Sequence, residues 1–310
     1  MQTSPTSPTR SIPVPTFDAR TLKGAGFGLL AAIAWSAYSV SSRAAVEAGF
    51  TAWDLTALRF IVAGVLLLPF VLRCGLATLG GVGWGRGLVL ALGAGPLFSA
   101  VYTFGLSVTP FAHGPVISPS VVTLGSLGLA VLVLGERPDR LRLVGIGVVI
   151  AGLLLVAGDG GGLGGASVYD LLFLVSGLLW AAYTVLLRLW RVDPIVATAA
   201  VAVLSMLAVA PAYAVSADPE RLLAAPSSLL FHAAMQGVVA AVVAILAFSK
   251  AVAHLGAGTA GVFPSVVPVM AVVLGIPVLD EWPSVPQALG IALATAGLIL
   301  ACGLLGRRRA

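Results

Sequence analysis

The chain has 310 residues, 59% apolar and only 9% charged, with a formal net charge of +5 and a mean hydropathy of +1.07. Ordinary globular chains carry about 25% charged residues, so this composition excludes a soluble enzyme, a secreted domain and a nucleic-acid binder. It places most of the chain in lipid. The surplus of 17 Lys and Arg over 12 Asp and Glu is what cytoplasmic retention of positive loops requires, and needs no polyanionic partner.

Residues 1–22 are Ser, Thr and Pro mixed with charges, too polar for the apolar core of a signal peptide. They read as a disordered cytoplasmic tail. Two cysteines, Cys74 and Cys302, make no disulfide framework, and without a single Asn there is no N-glycosylation acceptor. A helix crossing a bilayer core needs about 20 mostly apolar residues. Windows of that kind fall at 24–43, 53–73, 86–107, 112–134, 139–157, 167–190, 194–216, 228–253, 256–279 and 284–305. Runs such as GVVIAGLLLVAG lack the alternation of a barrel strand, so these spans are helices. With the N-terminus inside, fourteen of the 17 cations lie on the cytoplasmic side, only Arg43 and Arg221 lie outside, and Arg59 lies within a span. That asymmetry predicts an even number of spans with both termini cytoplasmic, in the cell (inner) membrane.

The chain also matches itself at an offset of 145 residues. Trp35, Ala37, Tyr38, Val40 and Arg43 fall on Trp180, Ala182, Tyr183, Val185 and Arg188. Pro119-Ser120-Val121-Val122 falls on Pro264-Ser265-Val266-Val267, Glu136 and Pro138 on Glu281 and Pro283, and Gly145, Gly152 and Gly158 on Gly290, Gly297 and Gly303. The register slips only where the second span meets the seventh. Each copy therefore holds five helices, and an odd count inverts the second copy in the membrane. The fold class expected is an all-α integral membrane protein of ten transmembrane helices in two inverted five-helix repeats. The copies run over 23–158 and 167–305, joined by a Gly-rich linker at 159–166 and followed by a basic cytoplasmic tail at 306–310. Inverted repeats of this kind place a substrate at mid-depth between halves that open alternately to either side.

The residues PSVVTLGSLGLAVLVLGERPDRLRLVGIGVVIAGLLLV and their second copy PSVVPVMAVVLGIPVLDEWPSVPQALGIALATAGLIL carry a resemblance. A Pro-bearing fourth helix ends in Glu and a Gly-patterned fifth follows, twice, which resembles the EamA family of the drug/metabolite transporter superfamily. Within it the chain is similar to YddG-type amino-acid exporters. The resemblance implies export of small metabolites, amino acids first, aromatic or apolar ones among them.

Trp53, Trp84, Trp190 and Trp282 sit at span ends, as an interfacial belt requires. Trp35 and Trp180 do not. With Tyr38 and Tyr183 three residues on, on the same helical face, they are candidates to line a central cavity; helix packing is the competing use. Trp35→Ala or Tyr38→Ala is then expected to abolish transport. Ser99, Tyr102 and Thr103 in the third span and Ser118, Ser120 and Thr123 in the fourth add polar groups, which also serve packing. Pro119, Pro264 and Pro268 free carbonyls four residues back, making the fourth and ninth spans candidate walls or hinges. Arg59 and Lys250 are candidates to recognise a substrate carboxylate, against snorkelling to the interface.

Asp54, Asp170, Glu136 and Glu281 all lie at span ends. Glu136 and Glu281 read as anion partners of the following helix N-terminus, so a buried carboxylate proton relay is not expected, and uniport, or coupling without a buried acid, fits better. The small residues of the fifth and tenth spans read as intramolecular packing, with a weak homodimer as the minority use. Gly160, Gly162 and Gly165 formally satisfy GxGxxG, but lie in a loop with no strand before them. No phosphate loop, HExxH or GxSxG is present, so no enzyme, cofactor or metal is expected. The partners expected are a small-molecule substrate and the lipid bilayer. A drug or nucleotide-sugar carrier, or a scaffold or channel, are the alternatives; a channel would need a polar ring from symmetric subunits.

Overall fold

A computed structural model of the chain describes residues 19–135, 138–158, 168–255, 260 and 262–301, and all the regular structure among them is helical. The long elements are α1 (Ala19–Glu47), α2 (Ala52–Cys74), α3 (Trp84–Val108), α4 (His113–Leu134), α5 (Arg140–Gly158), α6 (Asp170–Trp190), α7 (Pro194–Ser216), α8 (Pro226–Leu255), α9 (Val267–Leu279) and α10 (Val285–Ala301). Among the described residues, seven helices are long and apolar enough to cross a membrane; α9 and α10 are shorter apolar helices. The polar tail up to residue 18, the Gly160–Gly162–Gly165 linker, Glu136, Cys302 and the basic tail at 306–310 lie outside the described residues.

Helix starts follow local chemistry. Thr51 caps α2 in a reciprocal box: its Oγ1 accepts from the Asp54 N–H at 3.1 Å, and Asp54 Oδ2 accepts from the Thr51 N–H at 2.7 Å. Asp193 caps α7, accepting from the N–H groups of Ile195 and Val196, with Pro194 opening the helix. At α10 the cap is Ser284, which exchanges bonds with Gln287 at 3.2 Å.

Two helices are interrupted in mid-course. α3 breaks at Gly95, whose dihedrals are non-helical, and resumes at Pro96. The window expected as one span at 256–279 is divided: a short turn, Val262–Ser265, ends before α9 opens with Pro268 in its first turn. Pro264 and Pro268 flank this break. α4, by contrast, runs unbroken through Pro119. Its residue at the Pro268 position is Thr123, which keeps its N–H and bonds Pro119 O through its hydroxyl at 3.1 Å. In α4 the other proline, Pro115, sits in the first turn, where no intrahelical donor is lost, so Pro119 alone interrupts the ladder; in the second repeat both Pro264 and Pro268 do.

α5 and α10 pack backbone to backbone. A Cβ on Gly152 would lie 2.5 Å from Ala294 N, and one on Gly297 2.6 Å from Val149 N. Gly145 and Gly290 are equally confined. The small-residue stripes thus meet each other within the chain, which is the contact small side chains permit. α4 lies against α6, where Gly177 admits Val121, and α2 lies against α7, where Gly64 admits Met206.

Candidate functional site

α1, α2, α3 and α6 bring their central aromatics to one place. Tyr38 stacks on Tyr102 with centroids 6.1 Å apart, and Tyr102 on Phe98 at 6.0 Å. Phe98 meets Trp180 at 4.8 Å, and Trp180 meets Tyr183 at 5.4 Å. Phe173 closes the far side, edge-on to Tyr102 at 5.7 Å. The break at Gly95–Pro96 starts a new helical segment just before Phe98, Ser99, Tyr102 and Thr103, all buried. Tyr102 is fixed by a hydrogen bond between its hydroxyl and Ser39 Oγ at 3.1 Å, and Ser99 receives one from Thr56 at 3.4 Å.

Arg59 stands among these rings. It is only 6% exposed. Its guanidinium carbon lies 4.9 Å from the Tyr38 ring centre, 5.7 Å from Phe60 and 5.9 Å from Phe98. Ring faces attract the cation, but they do not accept its N–H bonds in the plane of the guanidinium. Among the described residues, Arg59 Nε and Nη1 are buried without a hydrogen-bond partner, as are the Tyr38 hydroxyl and Thr103 Oγ1. A buried, unpartnered cation is costly, and a guanidinium offers a planar fork suited to a carboxylate.

Arg59 faces a cavity of about 30 Å³, lined also by Ala63, Trp180, Tyr183, Thr198 and Val201. That holds about two waters and is far below the roughly 300–1,000 Å³ of ordinary small-molecule sites. A ligand of ordinary size would fit there only if these walls parted.

Other expected site residues lie elsewhere. Trp35 is half-buried against Phe248 of α8, with centroids 5.5 Å apart, away from its repeat partner's cluster. Lys250 is exposed near the end of α8, its Nζ 5.1 Å from the Phe27 ring centre. The geometry favours snorkelling there, because the ammonium reaches the surface over an aromatic face. Ser118 is buried in the α4–α6 seam, its hydroxyl 3.1 Å from Ser176. Phe60, Phe98, Phe173 and Thr198 were not singled out by sequence; a Gly-Pro pair inside an apolar window was the available signal for Phe98.

The acids at span ends are more engaged than expected. Asp170 is buried with its Oδ1 2.8 Å from His113 Nδ1, an ionisable pair joining α4 to α6. Asp54 Oδ1 accepts from the Tyr213 hydroxyl at 2.7 Å. Glu281 does not serve the N-terminus of α10, where Ser284 and Gln287 already form the cap; it bonds Arg43 and the Phe111 N–H instead.

A bundle of long apolar helices, with Trp53, Trp84 and Trp190 at helix ends and a cation held in an aromatic interior, is that of a multi-pass membrane protein. The chain belongs to the EamA-like transporter family, whose model matches residues 22–158 and again 167–303. The two matches stand at the same 145-residue offset as Trp35 and Trp180. A protein of Archaeoglobus fulgidus described as an uncharacterized transporter is 29% identical over 262 residues, covering 80% of this chain and 86% of that one. A solved crystal structure shares the fold with a TM-score of 0.62 at 21% identity, over 94% of this chain and all of the other.

Proposed function

We propose that this chain is a secondary transporter that exports small carboxylate-bearing metabolites, amino acids with aromatic or apolar side chains first among them. It works as ten spans in two inverted repeats, in the cell (inner) membrane with both termini cytoplasmic, as YddG-type exporters do by resemblance. The observation that carries this reading is Arg59: buried, ringed by Tyr38, Phe60 and Phe98, with two nitrogens lacking a partner among the described residues. A substrate carboxylate completes that fork, and the neighbouring rings take its side chain. The small cavity fits a carrier whose halves move about the site, opening it to one side at a time.

The test is uptake into proteoliposomes with radiolabelled amino acids, purines and sugars. Saturable uptake of amino acids, competed by unlabelled substrate and stimulated by exchange, is the expected result. Flux linear in concentration would make the chain a channel. Saturable uptake of sugars or purines without amino acids would remove the carboxylate assignment.

A further inference from the structure

About a turn and a half along α1 from Tyr38, Arg43 stands near the helix end in a very different environment. Arg43 engages four acceptors at once. Its Nε donates to Glu47 at 2.8 Å and its Nη1 to the carbonyls of Leu106 at 2.6 Å and Thr109 at 3.3 Å. Its Nη2 donates to Glu281 Oε1 at 2.8 Å, and the other oxygen of Glu281 accepts from the Phe111 N–H at 3.1 Å. Leu106, Thr109 and Phe111 belong to the end of α3 and the turn into α4, so one carboxylate from the second repeat holds α1 and that turn directly, while Arg43 ties in the end of α3.

The local backbone favours this. α9 ends at Asp280 in the left-handed conformation, with φ of 52°, an uncommon state for a residue other than Gly. The turn leads straight into Glu281. Beneath it Phe111 is buried against α9, where a Cβ on Gly275 would lie 2.8 Å from the Phe111 ring. The Arg43 and Glu281 side chains remain 19% and 32% exposed. A partly wet ion pair can break and reform where a fully buried one would be locked.

We infer that the Arg43–Glu281 pair is a latch that holds this end of the transporter closed between the two repeats. The inference rests on the reading of the chain as an alternating-access carrier, and adds the contact that must break for the cavity to open at this end. The Glu47 and carbonyl bonds keep Arg43 aimed while Glu281 departs with α9. Substrate takes no part in the latch.

The experiment reads cavity access without substrate, so it stands apart from the Arg59 assignment. In a chain with Cys74→Ser and Cys302→Ser, a single Ala202→Cys reports the cavity region and a single Ala48→Cys, exposed beside Arg43, identifies which face a membrane-impermeant maleimide reaches. Glu281→Gln keeps an acceptor for Phe111 and removes the charge. Labelling of Ala202→Cys from the Arg43 face is expected to quicken about tenfold in Glu281→Gln, as a population shift of one broken charged bond predicts. Glu281→Asp is expected to fall between Glu281→Gln and the native residue. Equal labelling rates with and without Glu281→Gln, in protein that elutes as a single species, overturn the latch. Aggregation of both Glu281 variants overturns it too, since the pair is then a structural brace.

Discussion

α2 and α7 are the same element in two repeats, and they differ where it matters. Each has 23 residues and an internal proline, Pro69 and Pro211. Aligned on those prolines, Arg59 falls on Val201 and Phe60 on Ala202, and all four line the same cavity. The scaffold is doubled, but the charge is not. Trp35 and Trp180 divide in the same way: the first rests on α8 through Phe248, the second joins Phe98 and Tyr183. On the proposed carrier reading, repeat symmetry would supply the moving halves and the single-copy Arg59 would supply recognition.

The comparison breaks most sharply at Arg59. Arg59→Val makes the two walls alike and is expected to lower uptake of a carboxylate substrate about 100-fold, the loss of a charged hydrogen-bonded contact. Arg59→Val with Val201→Arg, which moves the charge to the other repeat, is expected to leave uptake equally low, because Tyr38 and Phe98 flank only the first position. Recovery of uptake in the double variant would show that any cation in the cavity suffices. Where the repeats do behave alike, at the α5–α10 seam, Gly152→Val is expected to cost about 3 kcal/mol by forcing backbones apart. Thermal unfolding in detergent reads it, and an unchanged midpoint would deny the close contact.

Trp180→Ala is expected to lower the uptake rate about tenfold by opening the aromatic wall, and Trp35→Ala by less than about twofold. Equal losses in the two would restore the symmetric cavity that their matching positions suggested. Lys250→Gln has the smallest effect: uptake within about twofold of the native chain, as for an exposed charge. A tenfold loss there would put a second cation on the substrate path.

Periodicity and composition made the helices readable, since lipid leaves few other ways to satisfy a backbone. The repeat was readable because Trp, Tyr, Arg, Pro and Glu recur at one spacing. The gathering of Tyr38, Arg59, Ser99, Tyr102, Thr103, Trp180 and Tyr183 near one point was legible for a related reason: polar and amphipathic groups at depth need company. Partner choice was not. Whether Trp35 turns to α3 or α8 depends on helix rotation, which one sequence does not encode locally. Glu281 carried two sufficient local explanations, a helix N-terminus and a distant arginine, and only the fold shows that Ser284 had already taken the first. The division of the ninth span at Pro268 was half legible, as a freed carbonyl rather than a break. The ten-residue π-helical stretch Ala234–Val243 inside α8 left no mark in the apolar pattern.

Recognition on the proposed reading is one guanidinium meeting one carboxylate. The direct measurement is equilibrium binding of an amino acid and of its methyl ester to the purified chain and to Arg59→Val. The native chain is expected to bind the free acid about 100-fold more tightly than the ester, and Arg59→Val to bind the two alike. Equal binding of acid and ester by the native chain, or undiminished discrimination in Arg59→Val, would contradict it.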